Sequence, residues 1–426
     1  ILTHKVWGYL IFAVILLTIF QAIYDWAEVP MDFIDGTFAS LSEWVKNSLP
    51  QGAFTNLIAE GIIPGLGGIV IFIPQIAFLF LFIAVLEESG YMSRVVFLMD
   101  RIMRRFGLSG KSVVPLISGT ACAIPAIMAT RNIESWKERL ITILVTPFTT
   151  CAARLPVYLI IIALVIPEGR FFGLSYQALT LMLLYLIGFG TAIFSAYILN
   201  KVLKIKSKTF FVIEMPNYKL PLFKNVAITV IEKTKAFVFG AGKIILAISI
   251  VLWFLASYGP GKQFNDAETI VKTEYASQDL NEEDLQQKIA SHKLEHSFIG
   301  IAGHAIEPVI RPLGYDWKIG VAIVSSFAAR EVFVGTLATI YSVGSDDEAT
   351  IKNRMAAETN PILGGPLFNF ASGISLLLFY AFAMQCMSTL AIVKKETNSW
   401  KWPTLQLVIM TAFAYIVALI AFQFLK

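Results

Sequence analysis

Charge is scarce in this sequence: Asp, Glu, Lys and Arg make up 15% of its 426 residues against 56% hydrophobic ones, and the mean hydropathy is +0.69. So little polar surface excludes a soluble globular fold and requires apolar surface to be buried in lipid. The net charge is only +4, and nothing points to nucleic acid as a partner. Cysteine is scarcer still. Its three copies, Cys122, Cys151 and Cys386, all lie inside apolar segments, which excludes a disulfide framework and leaves buried thiols or soft metal ligands. The four histidines are poorly placed for transport: His4 is terminal, and His292, His296 and His304 lie in or beside a polar insertion. No soluble catalytic constellation is visible, and an enzyme is not expected. The chain opens on Ile1, without a methionine or a small-residue cleavage site, so an N-terminal part is expected to be missing.

Apolar sequence is what the chain has in abundance. Uncharged runs long enough to cross about 30 Å of hydrocarbon occur at 7–24, 65–86, 176–199, 371–393 and 403–425. Two more, 140–166 and 236–257, each carry one internal basic residue, Arg154 and Lys243. Trp7, Trp26, Trp253 and Trp402 fall at span ends, where interfacial aromatics belong. The pattern predicts an all-α polytopic membrane protein. Segment 27–60 sets Glu28, Asp32, Asp35, Glu43 and Glu60 against Lys46 alone, whereas 87–111 carries Arg94, Arg101, Arg104, Arg105 and Lys111, and 200–225 is rich in lysine. Basic loops stay inside, so the N-terminus is expected in the cytoplasm and the acidic stretch 259–297 outside, either partly helical or mobile. This works only if 112–130 enters and leaves the membrane on one side.

That stretch, KSVVPLISGTACAIPAIMATR from Lys111 to Arg131, is apolar enough for a bilayer but carries Pro115, Gly119 and Pro125. An interior proline removes a helical hydrogen bond, so the backbone of 120–124 is expected to unwind, with Cys122 at the break. Irregular backbone at membrane depth is tolerated only inside protein or along a cavity, and Ser118, Thr120 and Cys122 suit a cavity. We read the stretch as a gate. A second one follows at an offset of 207, where Asp100, Arg104, Gly107, Lys111 and Ser118 match Glu307, Arg311, Gly314, Lys318 and Ser325. The two gates, 112–130 and 318–341, are thus expected to be broken or re-entrant and to form an inverted repeat, one entered from each side. The chain divides accordingly into 1–60, 61–225, 226–395 and 396–426, with Gly-x-Gly pairs before each gate (Gly65 and Gly67, Gly240 and Gly242) and a cysteine span after each.

An inverted repeat would draw all three cysteines toward one axis. Thiolates suit borderline and soft ions such as Fe(II), Zn(II) and Cu(I), with helix-break carbonyls completing the shell, and Met128, Met384, Gln385 and Met387 are supporting candidates. The competing reading is that a free cysteine is a small buried hydrophobe. Arg154 lies in an apolar segment, where a lone guanidinium costs at least about 2.5 kcal/mol, so a carboxylate partner is expected, Glu331 first and Glu87 second. Arg330 beside Glu331 interrupts the second gate, and Glu87 with Glu88 ends a span as a cation exit or a solvated helix end.

At these residues the chain resembles the membrane domain of the bacterial ferrous iron transport protein B family. The matching stretches are PQIAFLFLFIAVLEESGYMSRVVFLMDRIMRRFGLSGKSVVPLISGTACAIPAIMATR, LITILVTPFTTCAARLPVYLI, GYDWKIGVAIVSSFAAREVFVGTLATIYSVG and FAMQCMSTLAIVKKET. The resemblance implies Fe(II) as transported substrate across the bacterial cytoplasmic membrane, no permanently bound cofactor, and Cys122, Cys151 and Cys386 at positions of family cysteines implicated in the path. It implies as partners the lipid bilayer, an N-terminal GTP-binding domain, small cytoplasmic accessory proteins and further copies of the chain. No GxxxxGK[ST] phosphate loop occurs in this sequence, so it resembles the transmembrane part alone.

Two other classes compete. A gate-type permease for an organic solute such as a nucleoside would use paired broken helices too, but would want Asn, Gln and acidic groups near the breaks, and few are there. A thiol-dependent intramembrane enzyme would need a His or acid beside Cys122 or Cys151, and no histidine is near either in sequence.

Overall fold

Apolar runs free of interior breaks fold into long helices, and runs interrupted by proline or threonine fold into short ones. In a computed structural model the chain is described at residues 26–50, 52–167, 169–171, 174–203, 218–274, 282–327, 366–384 and 386–426, with a few single positions elsewhere. In order these are α1 (Ala27–Ser48), α2 (Ala53–Glu88), α3 (Tyr91–Met103), α4 (Val113–Ala121), α5 (Ala123–Ala129), α6 (Trp136–Val145) and α7 (Leu155–Val165). Then come the two-residue antiparallel strands β1 (Arg170–Phe171) and β2 (Leu174–Ser175), α8 (Tyr176–Val202), α9 (Phe223–Phe237) and α10 (Lys243–Ser257). The rest are α11 (Ala267–Glu274), α12 (Glu282–Glu295), α13 (Phe298–Ile310), α14 (Trp317–Ser325), α15 (Phe370–Phe382), α16 (Met387–Thr397) and α17 (Lys401–Leu425).

Five stretches among the described residues are long and apolar enough to cross a membrane: 53–88, 136–165, 176–202, 370–397 and 401–425. They coincide with five of the expected spans. The expected span 236–257 appears as a π-helical turn, Val238–Gly242, leading into α10, and 7–24 lies largely outside the described residues. The polar insertion is helical in part, as expected, through α11 and α12.

Two spans differ from expectation, because neither is one helix. The span at 136–165 is interrupted by 146–154, where Pro147 withholds an amide and Thr146 and Thr149 turn their hydroxyls onto the carbonyls of Thr142 and Thr146. The span at 370–397 is interrupted at 383–386, beginning with an extended Ala383. Each interruption contains a cysteine.

The chain forms two units, residues 1–152, 188–247 and 388–404 in one and 153–187, 248–387 and 405–426 in the other. The first has its core around the gate: Ile76 and Phe80 of α2, Ile124, Ile127 and Met128 of α5, Ile143 of α6, Phe237, Ile392 and Val393 are buried together, with Cys122 packed against them. In the second, one cluster joins Ile299 of α13 and Val321 of α14, with Leu252, Leu255 and Trp317 against them. Among lipid tails such packing gains dispersion energy and lacks a hydrophobic drive, which makes close fit decisive. The expected repeat shows in the local backbone. Helix α3, the 3-10 turn Arg104–Phe106, Gly107 at φ 77° and α4 reappear as α13, the 3-10 turn Arg311–Leu313, Gly314 at φ 85° and α14, although the 3-10 turn Gly110–Ser112 that leads into α4 has no counterpart before α14. Both glycines hold left-handed backbone that a side chain would strain.

Candidate functional site: gates and cysteine-bearing breaks

The first gate breaks at a single residue. Cys122 is extended, at φ −155° and ψ 132°, between α4 and α5, each shorter than ten residues and so far too short to cross a bilayer. Pro125 causes the break: in a continuous helix its missing amide would have bonded to the carbonyl of Ala121, so the helix restarts with the proline in its first turn. Pro115 likewise sits in the first turn of α4 and does no damage. Only Cys122 unwinds within the expected 120–124. Helix ends on both sides of it present carbonyls and amides that have no partner within the helix.

The gate returns to where it began. Lys111 just before it and Glu134 just after it are joined, Nζ to Oε1 at 2.9 Å, and Ser112 Oγ accepts from Thr142 Oγ1 at 2.9 Å. The two ends of the gate thus lie side by side, which is the geometry that entry and exit on one side would need. Beyond it, Glu396 of α16 is buried and receives Arg131 through Nε and Nη2 and Arg139 through Nη2, the latter at 2.8 Å. Sequence reading missed this trio. The signal was present as two arginines flanking the gate's exit and one acid in an otherwise apolar and basic helix, 265 residues away.

Cys151 sits in the 146–154 interruption, whose Thr149 lies against the gate. A Cβ on Gly119 of α4 would lie 2.5 Å from Thr149 Oγ1, and one on Gly188 of α8 would lie 2.9 Å from Thr150 Oγ1 and 3.0 Å from the Phe148 carbonyl. Small residues on two helices thus let the break approach. In the other unit, Cys386 occupies the corresponding place. The turn ending the described part of the second gate is bonded to it from both sides: Tyr380 Oη donates to Ser326 Oγ at 3.1 Å, and Met387 N donates to the Phe327 carbonyl at 3.3 Å. The remainder of that gate, with Arg330 and Glu331, and the supporting candidate Gln385 lie outside the described residues. All three cysteines are partly accessible, and none is in a disulfide.

The other expected site residues are distributed as follows. The hydroxyl of Thr120 bonds the Ile117 carbonyl, and Ser118 is buried with its carbonyl taken by the Cys122 amide. Met128 belongs to the gate's core, Met384 is buried, and Met387 is exposed. Arg154 is fully buried and donates from Nη1 to the carbonyl of Ala381, 2.8 Å away, in the last turn of α15, where the helix dipole also favours a cation. It does not snorkel to water. Glu88 accepts from Asn225 Nδ2 at 2.7 Å, and Glu87 lines a cavity of about 460 Å³ together with Lys111, Arg131 and Lys233. Three cations to one carboxylate make that cavity a poor rest for a free divalent cation.

Two family models match the chain. The Gate family, described as nucleoside recognition, covers 69–165 and 238–400, and so takes in the first gate, the described part of the second and all three cysteines. The family described as ferrous iron transport protein B C terminus covers 181–233. Among curated relatives, the Fe(2+) transporter FeoB of Leptospira interrogans serogroup Icterohaemorrhagiae serovar Lai (strain 56601) is 45% identical over 425 residues, which is 99% of this chain and 58% of the relative. That of Leptospira biflexa serovar Patoc is 42% identical over 99% of this chain and 58% of the relative. A Fe(2+) transport protein A/Fe(2+) transporter FeoB fusion protein of Porphyromonas gingivalis is 37% identical over 99% of this chain and 50% of the relative. The chain therefore spans little more than half the length of these proteins. No solved structure matches it.

Proposed function

Because the chain belongs to the ferrous iron transport protein B family, we propose that it forms the membrane path by which Fe(II) enters the cytoplasm, lined by Cys122, Cys151 and Cys386. One observation carries this reading: in each unit a cysteine-bearing helix break lies against a gate helix. An Fe(II) ion leaving water needs several donors at once, and a helix break supplies carbonyls beside the softer thiolate. Binding stays modest, since an ion held by three thiolates together would leave slowly; the donors act in succession with carbonyls and water. The chain lies in the bacterial inner membrane on this reading, and its basic loops support an N-terminus in the cytoplasm. In the longer whole protein a GTP-binding domain precedes this part and regulates it. The fused relative supports a small cytoplasmic accessory partner, and the whole assembles as a homo-oligomer.

The Gate description favours a second reading, transport of a nucleoside, because the same broken helices serve such carriers. Uptake by the chain in sealed vesicles separates the two. Radiolabelled Fe(II) should accumulate and resist competition by nucleosides at a hundredfold excess. Nucleoside accumulation without Fe(II) uptake would replace the first reading with the second.

A further inference from the structure

Three histidines of the polar insertion take no part in the path. Two of them, His292 and His296, lie one helical turn apart on α12 and its C-terminal turn, and Glu295 is three residues beyond His292, so all three side chains share one face. Two histidines four apart on a helix are the spacing that chelates one divalent ion. One ligand atom from each of His292, Glu295 and His296 lies within 4.8 Å of the others, a separation that ligands on one ion can close with small rotamer changes.

Two details point from the cluster to an ion. His296 Nδ1 is 3.0 Å from the carbonyl of His292; as donor there, it fixes the tautomer and leaves Nε2 with a free lone pair, which is how metal-binding imidazoles are oriented. The second is His292 Nε2, which is buried and makes no hydrogen bond. A buried polar nitrogen without a partner is costly unless something else satisfies it, and an imidazole lone pair is what a transition metal takes. The surroundings support the three. His304 of α13 places Nε2 3.9 Å from Glu295 Oε1, its Nδ1 lies 3.4 Å from Glu307 Oε2, and its ring stacks on Trp317. His304 orients the carboxylate or joins it as a fourth donor.

We propose that His292, Glu295 and His296 bind a divalent first-row transition ion, such as Fe(II), Co(II) or Zn(II), on the insertion and apart from the cysteines. Two imidazoles and one carboxylate select borderline ions over Mg(II) and Ca(II), and three protein ligands leave positions open for water and for release. Its role rests on the transport reading: the site gathers the ion outside the membrane before it reaches the first break. The binding itself does not depend on that reading.

Co(II) is the probe. In the full chain in detergent, its visible ligand-field bands report nitrogen and oxygen ligation, while thiolate ligation adds charge-transfer bands at shorter wavelength. His292→Ala and His296→Ala should each weaken the nitrogen-type Co(II) site at least tenfold, and Glu295→Gln, which keeps size and helix, should weaken it less. Unchanged titrations in all three variants would overturn the site. In vesicles at limiting Fe(II) the histidine variants should take up iron several-fold more slowly and recover at saturating metal. Lost Co(II) binding with unaltered uptake at limiting Fe(II) would overturn the gathering role. An inactive wild type that still titrates Co(II) would count against transport and leave the metal site standing.

Discussion

Arg154 shows how one buried charge is accommodated. Its guanidinium sits at the C-terminal end of α15 and bonds the Ala381 carbonyl, so part of what a carboxylate was expected to supply comes from backbone and helix dipole. Arg154→Met keeps the bulk and strands that carbonyl; losing a charge-assisted bond to a buried acceptor should destabilise by about 1–3 kcal/mol, read as a lower unfolding temperature in detergent. Arg154→Lys should recover part of it, and equal melting of wild type and Arg154→Met would show the bond to be worth nothing. Such contacts explain what was legible. Pro125 announced the break at Cys122 because a missing amide is a local property. For Arg154 and for the Arg131–Glu396–Arg139 cluster, the charges stood out in the sequence but nothing local named their partners, which lie more than 200 residues away.

Among elements, the same division holds. The break in the gate and the 207-residue repeat of its local backbone follow from prolines, glycines and matched charges. The interruption at 383–386 contains no proline and is flanked by bonds that Tyr380 and Met387 donate to Ser326 and Phe327, so tertiary contact overrides an apolar run that reads as one helix. The Lys111–Glu134 clasp gives a pH test. Its hydrogen bond holds the Glu134 carboxyl below its ordinary value. A carboxylate depressed in the fold contributes stability that is present above the ordinary range near about 4.3 and is lost as pH falls through the lowered value. Amide exchange over 112–134 should therefore be slower in wild type than in Glu134→Gln at neutral pH, and the difference should vanish in acid; a constant difference would show the clasp is not ionic. Gly188 tests the second break. Gly188→Ala would push a Cβ against Thr150 and Phe148, costing about 1–3 kcal/mol as overpacking and displacing Cys151. Thiol labelling of Cys151 should change in rate while that of Cys386 does not.

At the scale of the whole molecule, two of the chain's crossings between its units fall next to cysteines: it passes from the first unit to the second after Ala152, one residue beyond Cys151, and from the second to the first after Met387, one residue beyond Cys386. The proposed path would draw its soft ligands from sequence-distant segments, which is why the three cysteines form no short motif in the sequence. The measurement that bears most directly on this account is Fe(II) uptake into vesicles by wild type, Cys122→Ser and Cys386→Ser at low metal. Serine keeps nearly the size of cysteine but offers a hard, neutral hydroxyl. Each variant should melt as the wild type does and take up Fe(II) at least several-fold more slowly; wild-type uptake by both would return the cysteines to the role of small buried hydrophobes and contradict the path.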